Sequence, residues 1–311
     1  MARLSIPDQL KGHPITIKQA EAAGLTRDQL RGSQFKRLGR GLYAWVEFRE
    51  NPDLVADARL RQLPPGCVLS GLSAAKVYGL DIQSPRGAEL TAPPSAPIRT
   101  RPGMIVHRAR LQAADITRRR GLMVTTPLRT CFDLLCSLSL VEAVVAADAM
   151  LHQRLVRLPE LVSYTDAHAA FKGVRQARRV ARLADAKAES PMESRLRMVI
   201  VEAGLPRPEV QQPMLDENGV VVARPDLSYP AARLGIEYDG ATHRESLAAD
   251  NRRQNILLCR VGVVLLRYTA FDVYHRPATI VEGCAQRARQ IADCEQTVSL
   301  QALVSPIASN R

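Results

Sequence analysis

Residues 224–243 read RPDLSYPAARLGIEYDGATH. Asp226 closes an apolar run, Val220–Ala223, and Glu237 sits in a second run, Leu234–Tyr238, beyond a turn containing Pro and Ala. Two short β runs joined by a turn predict a hairpin. On the second strand, alternation sends Leu234, Ile236 and Tyr238 to one face and Glu237 and Asp239 to the other. If Asp226 faces the same way, three carboxylates meet on one patch, an arrangement that calls for a shared cation, usually a divalent metal. The alternative is a surface hairpin whose carboxylates simply face water.

The order Glu193 … Asp226 … Glu237-Tyr238-Asp239, followed by Gly240 and His243, resembles the PD-(D/E)XK nuclease superfamily. Within it the chain is similar to the small domains related to very-short-patch-repair endonucleases, the DUF559 family, over about residues 188–292. The resemblance implies a restriction-endonuclease-like α/β core of helix, three-stranded mixed meander, second helix and further strand. Pro191 opens the expected first helix, which runs through Ala203 to the stop signals Gly204 and Pro206. Glu193 then lies in the first turn with Arg197 four residues on as an ion-pair partner. Glu193 reads equally as a favourable charge on the helix dipole. Ser246–Cys259 is the expected polar-faced helix, Val261–Leu266 a strand buried on both faces, and Pro277–Ile291 a closing helix.

By that resemblance, Mg²⁺ or Mn²⁺ is held by Asp226, Glu237 and the backbone carbonyl of Tyr238, and activates a water against a phosphodiester. Glu193 holds the outer water shell or a second ion. Asp239 stands where the superfamily usually has Lys, so it enlarges the metal site instead of supplying positive charge. His243 is the candidate acid or base, because imidazole titrates near neutrality. Arg252 and Arg253 are candidates for gripping a neighbouring phosphate bidentately. For His243 and both arginines the alternative is an ordinary loop or solvated helix position.

The formal net charge of +12 and pI of about 9.9 favour a polyanionic partner. Arginine supplies most of the positive charge, which reflects either phosphate binding or a GC-rich genome. There is no run of 18 apolar residues, and MARLSIPDQLKGH lacks an apolar signal core. The expectation is therefore a cytoplasmic, nucleoid-associated protein with no membrane partner and no assigned oligomeric state. The six cysteines show no CxxC pairing and read as buried or free thiols.

The N-terminal third carries a second signal. Thr16–Ala23 reads as a short helix ended by Gly24, and Thr26-Arg27-Asp28-Gln29 as a capping box opening a helix over Arg27–Gly32. Two short helices around a tight turn predict helix-turn-helix. FKRLGRGLYAW (Phe35–Trp45) then alternates and turns at Gly39-Arg40-Gly41, as a β wing does. The arrangement resembles the winged-helix region of AbiEi-type antitoxins over about residues 10–165, continuing through SGLSAAKVYGL (Ser70–Leu80) and GLMVTTPLRTCFDLL (Gly121–Leu135). By that resemblance Arg27 and Arg31 face the major groove, while Arg37 and Arg40 lie near the backbone or minor groove.

Val141–Leu151 and Pro159–Ala188 read as connecting helices. Arg175, Arg178, Arg179 and Arg182 share one face there, forming either a track for a phosphate backbone or a solvated stripe. The fold expected is an α+β to α/β multidomain protein. Residues 1–48 form a winged helix-turn-helix, 49–187 an antitoxin-like middle domain and helical connector, 188–295 the nuclease-like core and 296–311 a tail. The leading expectation is a metal-dependent endonuclease acting on DNA, double-stranded sooner than single-stranded. The alternative is a DNA-binding, antitoxin-like regulator whose nuclease-like domain is inactive. Cleavage of RNA is a third option, because carboxylates alone do not distinguish the two nucleic acids.

Overall fold

The computed structural model describes residues 8–49, 58, 62–80, 87–119, 121–216, 218–240 and 262–287. The chain divides into two compact units, Met1–Thr126 and Pro127–Arg311. The sequence reading instead draws a boundary at 187/188. The helices after Thr126 share a unit with the carboxylate segment because the buried Asp148 joins them through Ser194 and Arg197.

In the first unit, Asp8–Leu10 is a short 3₁₀ turn, β1 spans Ile15–Thr16, α1 spans Ile17–Ala22 and α2 spans Arg27–Arg31. Both helices begin with capping boxes. Thr16 accepts from the Gln19 N–H while Gln19 reaches back to the Thr16 N–H, and Thr26 and Gln29 repeat the pattern. The hairpin β2 (Phe35–Gly39) and β3 (Leu42–Trp45) pairs Phe35 with Trp45 and Arg37 with Tyr43, and β1 adds to its β3 edge. Gly41 turns the hairpin with φ 68°. Leu10, Ile15, Ala20, Leu25, Leu30 and Phe35 form the small core beneath it.

The rest of the first unit is a mixed five-stranded sheet. It comprises β4 (Val68–Leu69), β5 (Ala88–Ala92), β6 (Met104–Arg108), β7 (Ile116–Arg119) and β8 (Leu122–Thr125), in the order β6-β5-β4-β8-β7. Helix α3 (Gly71–Val77) contributes Ala74 to a cluster with Leu69, Leu122 and Val124. Ser70–Leu80 and Gly121–Leu135 are thus a strand-flanked helix and a strand leading into the next helix.

The second unit begins with α4 (Pro127–Ser137), α5 (Leu140–His152), α6 (Leu158–Ala167) and α7 (Val174–Leu183). The stretch expected as one helix from Pro159 to Ala188 is two, because Gly173 takes a left-handed φ of 90° immediately before α7. α8 (Pro191–Glu202) follows, capped by Ser190 and stopped by Ala203 with Gly204 at φ 82°.

A four-stranded sheet, order β14-β13-β12-β9, is built from β9 (Glu209–Val210), β12 (Leu227–Tyr229), β13 (Leu234–Tyr238) and β14 (Val264–Tyr268). β10 (Met214–Leu215) and β11 (Val221–Ala223) form a separate two-stranded ribbon. α9 (Ala270–His275) follows, and residues 277–287 are helical. The hairpin is real, but its first strand is β12. Asp226 stands just ahead of that strand instead of closing the 220–223 run, which pairs elsewhere. Leu227 opposes Ile236, and Tyr229 opposes Leu234.

Leu196, Ile200, Leu227, Leu234, Ile236 and Tyr268 pack together on one face of this sheet. On the other, Val263 and Leu265 join Met214 and Ala223. β14 therefore contributes apolar side chains to both faces, as its continuous apolar run implies. Gly235 fits between Leu265 and Pro225: a Cβ there would lie 2.8 Å from a Leu265 methyl. No helix among the described residues is long and apolar enough to cross a membrane.

Candidate carboxylate site and exposed arginines

The second unit brings Glu193, Asp226 and Glu237 to one place. Glu193 is 6% exposed in the first turn of α8, where its Oε2 accepts from the Glu189 N–H at 3.0 Å and the Gln211 amide at 3.0 Å. The same Gln211 nitrogen donates to Asp226 Oδ1 at 3.1 Å, and the Tyr238 N–H donates to Asp226 Oδ2 at 2.8 Å. Gln211 does this from a left-handed backbone, φ 52°, while its own N–H donates to the Asp226 carbonyl. A non-glycine residue there costs on the order of 1 kcal/mol or more, and such residues cluster at functional sites. Burial pushes the Asp226 carboxyl up to about 6, and the charges of Glu193 and Glu237 add to it. The hydrogen bond from Tyr238 and a weaker one from Gln211 pull the other way.

Glu237 Oε2 accepts from Arg267 Nε on the parallel neighbour strand at 3.2 Å. Asp239 is exposed; its N–H donates to the Tyr268 carbonyl, and no hydrogen bond or ion pair among the described residues joins its side chain to Asp226 or Glu237. The carboxylates whose charges act on Asp226 are Glu193, supplied by a helix, and Glu237. Tyr238 contributes its N–H to Asp226. His243, Arg252 and Arg253 lie outside the described residues, as does the Ser246–Cys259 segment.

Oxygen donors of this kind suit a hard divalent cation. In this geometry the Asp226 oxygens are engaged by Tyr238 and Gln211, and Glu237 by Arg267. Among the described residues no group of three or more His, Cys, Asp or Glu side chains is placed to hold a metal ion.

Arg197 does not pair with Glu193. It is fully buried, and its guanidinium donates to Asp148 Oδ2 at 2.6 Å and to the Leu183 carbonyl at 2.5 Å. Asp148 also accepts from Ser194 Oγ at 2.6 Å and the Asp185 N–H at 2.7 Å. Burial raises the Asp148 pKa despite Arg197 and these hydrogen bonds. A buried charge needs its own carboxylate, and Asp148 is buried where Glu193 is committed to Gln211. An acid inside the apolar run VEAVVAADAM was the available signal for this partner; nothing in VQQP singles out Gln211.

On the N-terminal unit, Arg27, Arg31, Arg37 and Arg40 are all exposed. Arg27 pairs with Glu21 at 3.1 Å, Arg31 with Asp28 at 3.5 Å, and Arg37 Nε donates to the Gly39 carbonyl. On α7, Val174, Ala177, Val180 and Ala181 face inward. Arg175, Arg179 and Arg182 are exposed, and Arg178 pairs with Asp166 at 3.1 Å. The described cysteines are unpaired thiols, and burial pushes Cys131 up to about 12 and Cys284 to about 11, which leaves them poor nucleophiles.

Residues 66–186 match the AbiEi antitoxin C-terminal domain. Two proteins of Mycobacterium tuberculosis are each 31% identical over 223 residues, covering 69% of this chain and 79% of their own length. They are the uncharacterized protein MT2308 of strain CDC 1551 / Oshkosh and the uncharacterized protein Rv2248 of strain ATCC 25618 / H37Rv. The crystal structure of the RV2827C protein from Mycobacterium tuberculosis is similar over 60% of this chain and 75% of that one, with 18% identity and a TM-score of 0.40. The chain belongs to the family of MT2308 and Rv2248, and its residues 66–186 are similar to the AbiEi antitoxin C-terminal domain.

Proposed function

We propose that the protein is a DNA-binding regulator of the antitoxin type, in which α1, α2 and the β2–β3 hairpin act as a winged helix-turn-helix. The observation that carries this reading is the antitoxin domain at residues 66–186 directly behind two capped helices and a hairpin that expose four arginines. α2 is the element offered to the major groove, with Arg27 and Arg31 on it and Arg37 and Arg40 flanking the backbone. The net charge of +12 supports such a partner. The test is a gel shift on the DNA upstream of the protein's own gene, with an unrelated duplex as control. The reading requires a specific, salt-sensitive complex that Arg27→Ala plus Arg31→Ala removes.

A second reading rests on the carboxylate patch. Glu193 and Asp226 share the Gln211 amide, the charges of Glu193 and Glu237 act on Asp226, and burial pushes its carboxyl up to about 6; carboxylates in this order are what a metal-dependent nuclease reading needs. On this reading Asp226 and Glu237 would hold Mg²⁺ or Mn²⁺, which would supply an activated water and charge neutralisation at a phosphate. Glu193 and Gln211 position Asp226, and Arg267 orients Glu237. Plasmid nicking with Mg²⁺, Mn²⁺ or EDTA separates the two readings. Metal-dependent cleavage abolished by Asp226→Ala and by Glu237→Ala belongs to the second alone.

A further inference from the structure

A cleft of about 460 Å³ opens beside the carboxylate patch, between the end of α5 and the loops that flank α8 and precede β12. Its rim carries His152, Arg154, Lys187 and Arg224, and Gln211 forms part of its wall. Gln211 is the residue whose amide touches both Glu193 and Asp226, so the cleft leads directly to the patch. One acid, Glu189, lines it and is matched by Arg224 at 3.0 Å. Arg154 and Lys187 are exposed and have no ion-pair partner among the described residues.

Arg154 holds a left-handed backbone at φ 56°, pinned by its N–H to the Leu151 carbonyl at 3.0 Å. This is the Schellman end of α5, with Arg154 at the left-handed position and the Leu155 N–H donating to the Met150 carbonyl, so the helix stop itself turns the Arg154 side chain out to the rim. The cation excess at the mouth and the neutral amide deeper in match an anion whose charge stays at the rim.

We propose that this cleft binds the phosphodiester backbone of duplex DNA, with Arg154 and Lys187 as its two phosphate contacts. The contact is additional to the N-terminal arginines and holds whether or not those bind DNA. It assigns a DNA-facing role to the end of the antitoxin domain, since His152 and Arg154 lie inside residues 66–186 and Lys187 just beyond. A guanidinium and an ammonium on one rim follow neighbouring phosphates without reading bases.

The test uses the full chain and a fluorescent 30-base-pair duplex, titrated at several salt concentrations. Arg154→Ala/Lys187→Ala is made in the natural sequence and in a background with Arg27, Arg31, Arg37 and Arg40 replaced by Ala. The double change should weaken binding roughly tenfold in both backgrounds and lower the salt slope by about 2. Arg154→Lys/Lys187→Arg should keep the affinity, which excludes a folding defect. Loss in both backgrounds with an unchanged N-terminal variant retains the cleft and removes the winged-helix reading. Unchanged affinity and slope in both backgrounds overturn the proposal. Displacement of the duplex by millimolar inorganic phosphate at constant ionic strength also overturns it, by marking a small-anion site.

Discussion

Asp148 and Arg197, 1% and 0% exposed, form an ion pair at 2.6 Å that ties α5, inside the stretch similar to the antitoxin domain, to α8, the helix that carries Glu193. The match to the antitoxin domain ends at residue 186, but the folding unit does not. Removing one partner strands the other charge in the interior. Asp148→Ala or Arg197→Ala should each cost about 3–5 kcal/mol in denaturant unfolding. Asp148→Leu/Arg197→Met should lose much less than the sum of the two, because a pair replaced by apolar groups leaves no orphan. Additive losses would contradict this pairing.

The Asp226 carboxyl gives a pH dependence whose sign is fixed. Its folded pKa of about 6 lies above the ordinary 3.8, so the native state holds the proton more tightly than the unfolded chain. The stabilisation from this group is complete below pH ~4, falls as pH rises towards ~6, and is absent above. Thermal unfolding of Asp226→Asn should lack that decline. An identical Tm-against-pH profile for both proteins would show that burial does not perturb Asp226.

Gln211 lowers the Asp226 pKa through its amide. Gln211→Ala should therefore move the Asp226 titration above the natural protein's, read by carboxyl NMR chemical shift. Gln211→Gly should do the same yet be more stable than the Ala variant by about 1 kcal/mol, because glycine adopts φ 52° without cost. A downward shift in either variant would mean that the bridge is not formed in solution.

In the N-terminal unit, Thr26→Ala deletes the acceptor for the Gln29 N–H at 3.3 Å and opens the capping box of α2. The expected loss is about 1 kcal/mol. It should appear as faster amide exchange at Leu30, which is buried beneath the hairpin, with little change in the second unit. Unchanged exchange would show the cap to be dispensable.

Local patterning carried much of this fold into the sequence. The Thr26–Gln29 box, the Gly39-Arg40-Gly41 turn and the α8 boundaries are set by short-range chemistry, so spacing reveals them, whereas the Glu193/Asp226/Glu237 grouping comes from the family resemblance. Gly173 was available as a breaker, but the surrounding helix formers masked it. The approach of Glu193 to Asp226 depends on how a helix docks on the sheet, and strand alternation is blind to that. The bridge from Gln211 and the pairing of Arg197 with Asp148 are long-range. Each joins residues more than a dozen positions apart whose partners only the tertiary packing selects.

The most direct test of the regulator reading is duplex binding by the full chain to the DNA upstream of its own gene, measured by anisotropy across a salt series without and with Mg²⁺. The account predicts a sequence-preferring complex that weakens steeply with salt, is lost in Arg27→Ala/Arg31→Ala, survives Asp226→Ala and leaves the duplex intact. Binding no tighter than to unrelated duplex, or Mg²⁺-dependent cutting that Asp226→Ala abolishes, would contradict it.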